Sequence, residues 1–348
     1  PYVDRHELAG AVTLVATSDR VLSLDCVGSA DVAAGLPMQP DTLFWIASQT
    51  KPLTAALVMM LVDDGRLTLD DPVEQHLPEF RGLKYVAEQD EEQTLLRRPP
   101  RPITLRQILC HAAGLRFSSP IEQPTLDRWP LADAVRSYAM MPLDYAPGTR
   151  YQYANAGTNT AARIVEVVTG QRYEDLLQSR LLDPLGMADT TFWPSEAQVA
   201  RLAKSYGPDA ARADLHEQLI PQLIYPLSDR TRRFAMPAGG LFSTAADCLA
   251  FCRMMLAGGV YQGHRLLSEA AVAEMTRKQT EPEIEESYGL CLACGDGWYG
   301  HGGAMGTGMS VDTRAGLVMI YLIQHGGFPG RGGEAHEAFR QAALALPR

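Results

Sequence analysis

Phe44-Trp45-Ile46-Ala47-Ser48-Gln49-Thr50-Lys51 opens the run whose reading decides the fold. The apolar tetrapeptide reads as a chain leaving buried structure for a helix start. Ser48 and Lys51 then stand one turn apart on a shared helix face, within hydrogen-bond reach. A serine hydroxyl is a weak nucleophile until a neighbouring base takes its proton. A lysine removed from water loses preference for its charged form, which moves it toward a useful base. Lys51 precedes an almost wholly apolar run from Leu53 to Val62, so its amine is expected against a core. It is one of four lysines (Lys51, Lys84, Lys204 and Lys278), and no other follows a serine at this spacing. The helix N-terminus adds free backbone N–H groups beside Ser48. A bare serine–lysine spacing is more often a surface accident, so the pair needs partners.

Composition narrows the field. The chain has 348 residues, 46% hydrophobic and 21% charged, the profile of a globular protein with a substantial core. Its net charge of −10 is dispersed, which argues against nucleic acid as a partner. No apolar run reaches the ~20 residues a membrane-spanning helix needs. The chain begins at Pro1 without a signal-like segment, leaving an exported and a cytoplasmic setting both open. Six cysteines are too few for a disulfide scaffold, and Cys291-Leu-Ala-Cys294 lacks a second ligand pair for a metal. Buried free thiols are expected.

Two strands, Ala11 to Ala16 and Val21 to Val27, read as an N-terminal hairpin. A helix from about Ser48 stops at Asp63-Asp64-Gly65. Residues 66–101 read as loop-rich, with Glu88 to Arg101 exposed. Helices are expected over Ile103 to Cys110, Ala132 to Tyr138, Thr160 to Thr169, Tyr173 to Leu182, Leu241 to Leu256 and Glu334 to Leu346. Tyr288 to Cys294, Met309 to Asp312 and Leu317 to Gln324 are strand-like. The pattern predicts an α+β fold: a central antiparallel sheet built from N- and C-terminal strands, flanked by helices, with a mostly helical insertion. Residues 1–62 and 236–348 are assigned to the sheet lobe and 63–235 to the helical lobe, with the active site between them.

Two segments supply partners for the serine and lysine. Tyr151-Gln-Tyr153-Ala-Asn155 is expected in the loop before the Thr160 helix. The phenol of Tyr153, near a buried ammonium, would have its pKa depressed and shuttle protons. The Asn155 amide can hold the lysine and a substrate together. Tyr299-Gly-His301-Gly302-Gly303-Ala304, expected at the start of a strand, lets a substrate lie against the chain with N–H groups free for an oxyanion.

In the order S-x-x-K, Y-x-N, H-G-G, these segments resemble the penicillin-recognising serine hydrolases: class C β-lactamases, D-alanyl-D-alanine carboxypeptidases and related esterases and D-aminopeptidases. Leu67-Thr-Leu-Asp-Asp-Pro72, Ile103-Thr-Leu-Arg-Gln-Ile-Leu-Cys-His-Ala-Ala-Gly-Leu115, Gly239-Gly-Leu-Phe-Ser-Thr244 and Tyr288-Gly-Leu290 look like further landmarks. The resemblance implies a β-lactamase/transpeptidase-like fold, with Ser48 acylated, Lys51 its base, Tyr153 a second proton-transfer residue and Asn155 its amide. It also implies an oxyanion hole from the N–H groups of Ser48 and Ala304, support from His301, and substrate contact at Gly302 and Gly303. No metal or organic cofactor is required. His111 reads as a brace of the helical lobe.

The third motif departs from the Lys-Thr-Gly usual in these β-lactamases. His301 carries no fixed charge near neutral pH, and Gly302 has no hydroxyl, so recognition of a substrate carboxylate is weakened. Arg230, Arg232 and Arg233 could replace that cation, though a solvated loop is the favoured reading. An esterase or amidase on small acyl substrates follows, with an ester, amide or lactam as partner. A β-lactamase or D,D-carboxypeptidase, and a catalytically silent binding member, are the alternatives. An α/β-hydrolase is disfavoured because no G-x-S-x-G elbow occurs.

Overall fold

The computed structural model describes residues 1–347. Its main sheet has seven antiparallel strands: β1 (Gly10–Ala16), β2 (Val21–Asp31), β3 (Leu36–Pro37), β4 (Ala293–Gly295), β5 (Trp298–Gly302), β6 (Gly308–Asp312) and β7 (Leu317–Leu322). Their spatial order is β4-β5-β6-β7-β1-β2-β3, so strands from the two ends of the sequence meet where β1 pairs β7. That junction is buried on both faces: every residue of β7 is buried and only Thr13 in β1 is partly open. The expected α+β architecture, with a sheet made from both termini, is what the chain adopts.

Each face is covered by helix. The helices that matter here are α1 (Thr50–Asp63), α2 (Leu105–Leu109), α3 (Leu131–Ala139), α4 (Asn155–Thr169), α5 (Ala245–Leu256) and α6 (Ala335–Leu344). Val12, Leu14, Val318, Ile320 and Leu322 join the main core with α1 and α5. On the other face Val15, Met319 and Tyr321 pack with Phe339 and Ala343 of α6. Thr50 through Leu61 of α1 are all buried, as befits a helix apolar on every side. Such a helix has to lie between layers, which places its N-terminus at their meeting point.

Several elements differ from the sequence reading. The chain does not form a strand over Tyr288 to Cys294; it turns at Cys291, where φ is +56°, and only Ala293–Gly295 pairs in the sheet. The glycine-rich segment lies not at the start of a strand but at the end of β5 itself. The exposed stretch after residue 66 contains a charged hairpin, Tyr85–Gln89 with Thr94–Arg97. Helix α4 begins five residues before Thr160, because Asn155, Gly157, Thr158 and Asn159 turn inward without an apolar period. A methyl at Gly157 would meet the Ile108 carbonyl of α2 at 2.3 Å, so this close crossing requires glycine. A two-residue ladder, Phe44–Trp45 with Phe242–Ser243, brings residues 239–244 beside the start of α1.

Of the three arginines before Gly239, Arg230 and Arg232 are exposed as expected, and Arg233 differs. Arg233 is not in a solvated loop; it is 2% exposed, and its Nε donates to Asp127 at 2.6 Å. Asp127 accepts from the Ile224 N–H at 3.1 Å, and Arg233 donates to the Phe192 carbonyl at 3.0 Å. Burial pushes the Asp127 carboxyl up, opposed by the adjacent guanidinium. Arg230 instead lies over the Trp193 ring. The buried pair ties residues 116–149 to residues 207–235. Asp127→Ala, which strands the guanidinium, is expected to cost about 3–5 kcal/mol. The check is the guanidinium chloride midpoint, against Asp127→Asn as the milder change.

Candidate active site

Four pieces of chain converge at the buried end of α1. Ser48 sits in a 3-10 turn, Ala47–Gln49, that leads directly into the helix. Ala47 before it has φ +46°, a left-handed conformation that L residues adopt at a cost. Ser48 therefore lies in the first turn, where backbone N–H groups have no intrahelical acceptor.

Lys51 is wholly buried, and its Nζ makes three contacts: the Ala238 carbonyl at 2.7 Å, Asn155 Oδ1 at 2.7 Å and Ser48 Oγ at 3.2 Å. The first two oxygens can only accept, whereas a hydroxyl can also donate. A neutral amine thus satisfies both carbonyls with N–H and keeps its lone pair for the Ser48 hydrogen. Burial is the main cause that brings the Lys51 amine down to about 7. No carboxylate pairs with it. Contacts and burial together leave an amine that is free to accept a proton near neutral pH.

Tyr153 stands against the same pair. Its ring faces Lys51, with Nζ 4.6 Å from the centroid, and it lines the same cleft as Ser48. The expected depression of its pKa is overturned: burial pushes the phenol well above its ordinary value, and the nearby Ser48 hydroxyl offsets that only in part. The Lys51 amine meets the ring face rather than the oxygen, and burial dominates. Asn155 is not in a loop but is the first residue of α4, which fixes its side chain rigidly on Lys51.

Opposite lie His301, Gly302, Gly303 and Ala304. They share one cleft of about 360 Å³ with Ser48, Tyr153 and Asn155, floored by Trp45, Phe117 and Met236. Burial, then the nearby Lys51 charge, push the His301 imidazole down to about 3, so it is neutral. All eight residues named from sequence are at this cleft or directly beneath it. Arg230, Arg232 and Arg233 do not line it. The neighbouring groove past Gly302 holds Arg340, but Glu337 takes that guanidinium at 2.8 and 2.9 Å.

Three contributors were not assigned from sequence. The Ala238 carbonyl has no sequence signature, because any residue offers one. Tyr288 lies behind His301, its hydroxyl 2.9 Å from Nε2. His111 does more than brace the helical lobe: its ring packs 4.7 Å from Tyr153 and 4.9 Å from Tyr288. The glycine pair within Gly-His-Gly-Gly was legible, and its two members differ. A methyl at Gly303 would meet Thr307 Oγ1 at 2.1 Å and the Ile46 carbonyl at 2.6 Å, whereas at Gly302 the nearest atom is 3.6 Å away.

Fold and site together define a serine hydrolase. A family model described as Beta-lactamase matches residues 1–344, and the chain belongs to that family. It is 32% identical to penicillin-binding protein 4 of Amycolatopsis lactamdurans, covering 92% of this chain and 82% of that protein. It is 28% identical to lovastatin esterase of Penicillium rubens, covering 83% and 81%. The solved structure of EstCE1, a hydrolase with promiscuous acyltransferase activity, superimposes with a TM-score of 0.82 at 22% identity, covering 99% of this chain and 96% of that one. No helix among the described residues is long and apolar enough to cross a membrane.

The two glycines give a direct check. Gly303→Ala is expected to lose about 1–3 kcal/mol of stability, the usual cost of forcing atoms into filled space. Gly302→Ala is expected to unfold with the wild type, within about 0.5 kcal/mol. Thermal and denaturant unfolding of the two variants compares them.

Proposed function

We propose that the protein hydrolyses small, uncharged esters or amides through an acyl-enzyme on Ser48, in a cleft between the 1–62/236–348 lobe and the 63–235 lobe. The observation that carries this reading is the pairing of Ser48 with a buried lysine whose other two partners are both carbonyl oxygens. Neutral Lys51 takes the Ser48 proton as Oγ attacks the substrate carbonyl. The N–H groups of Ser48 and Ala304 stabilise the resulting oxyanion. Tyr153, kept protonated by burial, gives its proton to the leaving oxygen or nitrogen and recovers one from the Lys51 ammonium. A water molecule then attacks the acyl-enzyme, with the same groups moving protons in reverse.

The cleft supports neutral substrates. Lys51 is committed to Ser48, and among the described residues no other cationic side chain lines the space. A substrate carboxylate would be desolvated there without a partner, at a cost of several kcal/mol. The apolar floor of Trp45, Phe117 and Met236 suits an acyl or alcohol group of modest size. The likeness to a lovastatin esterase supports the ester reading. The likeness to a penicillin-binding protein keeps lactams as the second reading.

A panel of p-nitrophenyl esters, D-amino-acid amides and nitrocefin tests this. Short-chain esters are expected to turn over fastest and nitrocefin poorly; the reverse order would favour the lactam reading. Ser48→Ala is expected to abolish ester hydrolysis and fluorophosphonate labelling, and full activity in that variant would sink the proposal. Tyr153→Phe is expected to lose about 10²–10⁴-fold in kcat. Since the amine must be unprotonated to act, kcat/KM is expected to rise with pH and level off above a midpoint of about 7.

A further inference from the structure

His301 spends both ring nitrogens on the protein. Nδ1 lies 2.6 Å from the Gly302 carbonyl, which can only accept, so Nδ1 carries the hydrogen. Nε2 must then accept, and the Tyr288 hydroxyl at 2.9 Å supplies the donor. Tyr288 is 5% exposed, and burial holds its phenol in the protonated form. The groups facing this imidazole are Lys51 from α1, the Tyr153 ring at 6.0 Å, Tyr288 and, behind them, His111. None is a carboxylate. The Gly302 carbonyl alone favours an imidazolium, burial and Lys51 oppose it more strongly, and no nitrogen is left over for a substrate.

The backbone beyond it is held one peptide at a time. The Gly302–Gly303 unit is fixed at its carbonyl by His301 and at its N–H by the Thr307 carbonyl, 2.8 Å away. The Gly303–Ala304 unit is fixed at its carbonyl by the Gly306 N–H at 3.0 Å. A trans peptide points its N–H opposite to its C=O. The Ala304 N–H is thereby turned away from the Gly306 side, and it has no acceptor among the described residues. Ala304 and Ser48 line the same cleft.

We propose that Tyr288 and His301 form a clamp: positioning residues that lock one tautomer of His301 and, through its bond to the Gly302 carbonyl, the Gly302–Gly303 peptide from which the next unit, held by the Gly306 N–H, aims the Ala304 N–H at the reacting carbonyl. The clamp rests on the acyl-enzyme reading for its catalytic effect, but its geometry can be read without turnover. His301 is then no substitute for the missing lysine of the third motif. It serves the strand rather than the substrate.

Nitrogen-15 NMR of the imidazoles tests the geometry. In the wild type His301 is expected to remain a single Nδ1–H tautomer between about pH 5 and 8. In Tyr288→Phe, where Nε2 has lost its donor, mixed tautomers or a titration in that window are expected. Kinetically, Tyr288→Phe is expected to lower kcat on p-nitrophenyl esters about tenfold or more while KM stays within about twofold, because an oxyanion contact acts in the transition state. His301→Ala and the Tyr288→Phe/His301→Ala double variant are expected to lose alike, since the two residues act as one unit. A wild-type His301 that carries its hydrogen on Nε2 or titrates near its ordinary value overturns the clamp, as do additive losses or an unchanged kcat in Tyr288→Phe. Absence of fluorophosphonate labelling at Ser48 in the wild type would instead overturn the acyl-enzyme reading, with the NMR result still deciding the clamp.

Discussion

One buried amine organises this protein. Lys51 is held by the Ala238 carbonyl from one part of the chain and the Asn155 side chain from another, both at 2.7 Å. Burying a lysine without a carboxylate is costly, and the cost is lowered when the group gives up its proton. The neighbourhood is built to tolerate a neutral amine and an ammonium in turn: two fixed carbonyl dipoles, the face of Tyr153, and no anion to trap the charge. Supplying those dipoles constrains much else. Residues 236–240 must pass beside α1, which the short ladder between Phe44–Trp45 and Phe242–Ser243 secures. Asn155 must be rigid, which its place as the first residue of α4 secures.

How much of this could be read from residue order depends on what kind of atom does the work. Side chains with rare spacing were legible: Ser48 with Lys51, Tyr153 with Asn155, and the His301-Gly302-Gly303 run all meet at one cleft. The sheet from both termini was legible too, because β1 and β7 are dense in apolar residues, nearly all of them buried. Contributions from the backbone were not, since the Ala238 carbonyl carries no residue-type signal. The start of α4 was missed for a different reason. Its first turn buries Thr158 and Asn159, polar side chains that find partners inside rather than water, with Asn159 bridging Tyr138 and the Ala238 N–H. Periodicity read from apolar residues passes over such a helix start.

Electrostatic expectations failed where a neighbour was assumed to matter more than burial. Tyr153 sits beside Lys51, yet its phenol is pushed up, because the amine lies over the ring face and the oxygen is cut off from water. Arg233 misled in the same way. A cluster of arginines in a loop reads as solvated, but one member is carried into the interior by the complementary charge of Asp127, over a hundred positions away, and sequence spacing cannot reveal such a partner.

That ion pair has a bearing on how the family can vary. Residues 116–149 contribute Phe117 to the cleft and residues 207–235 contribute Gln222, so both are natural places for specificity to drift. They share Asp127 and Arg233, however, and neither charge can be orphaned cheaply. The two segments are therefore coupled: a recombined chain in which one of them arrives without its charge leaves the other charge buried and unpaired. Substrate choice in this architecture is expected to move in paired blocks rather than loop by loop.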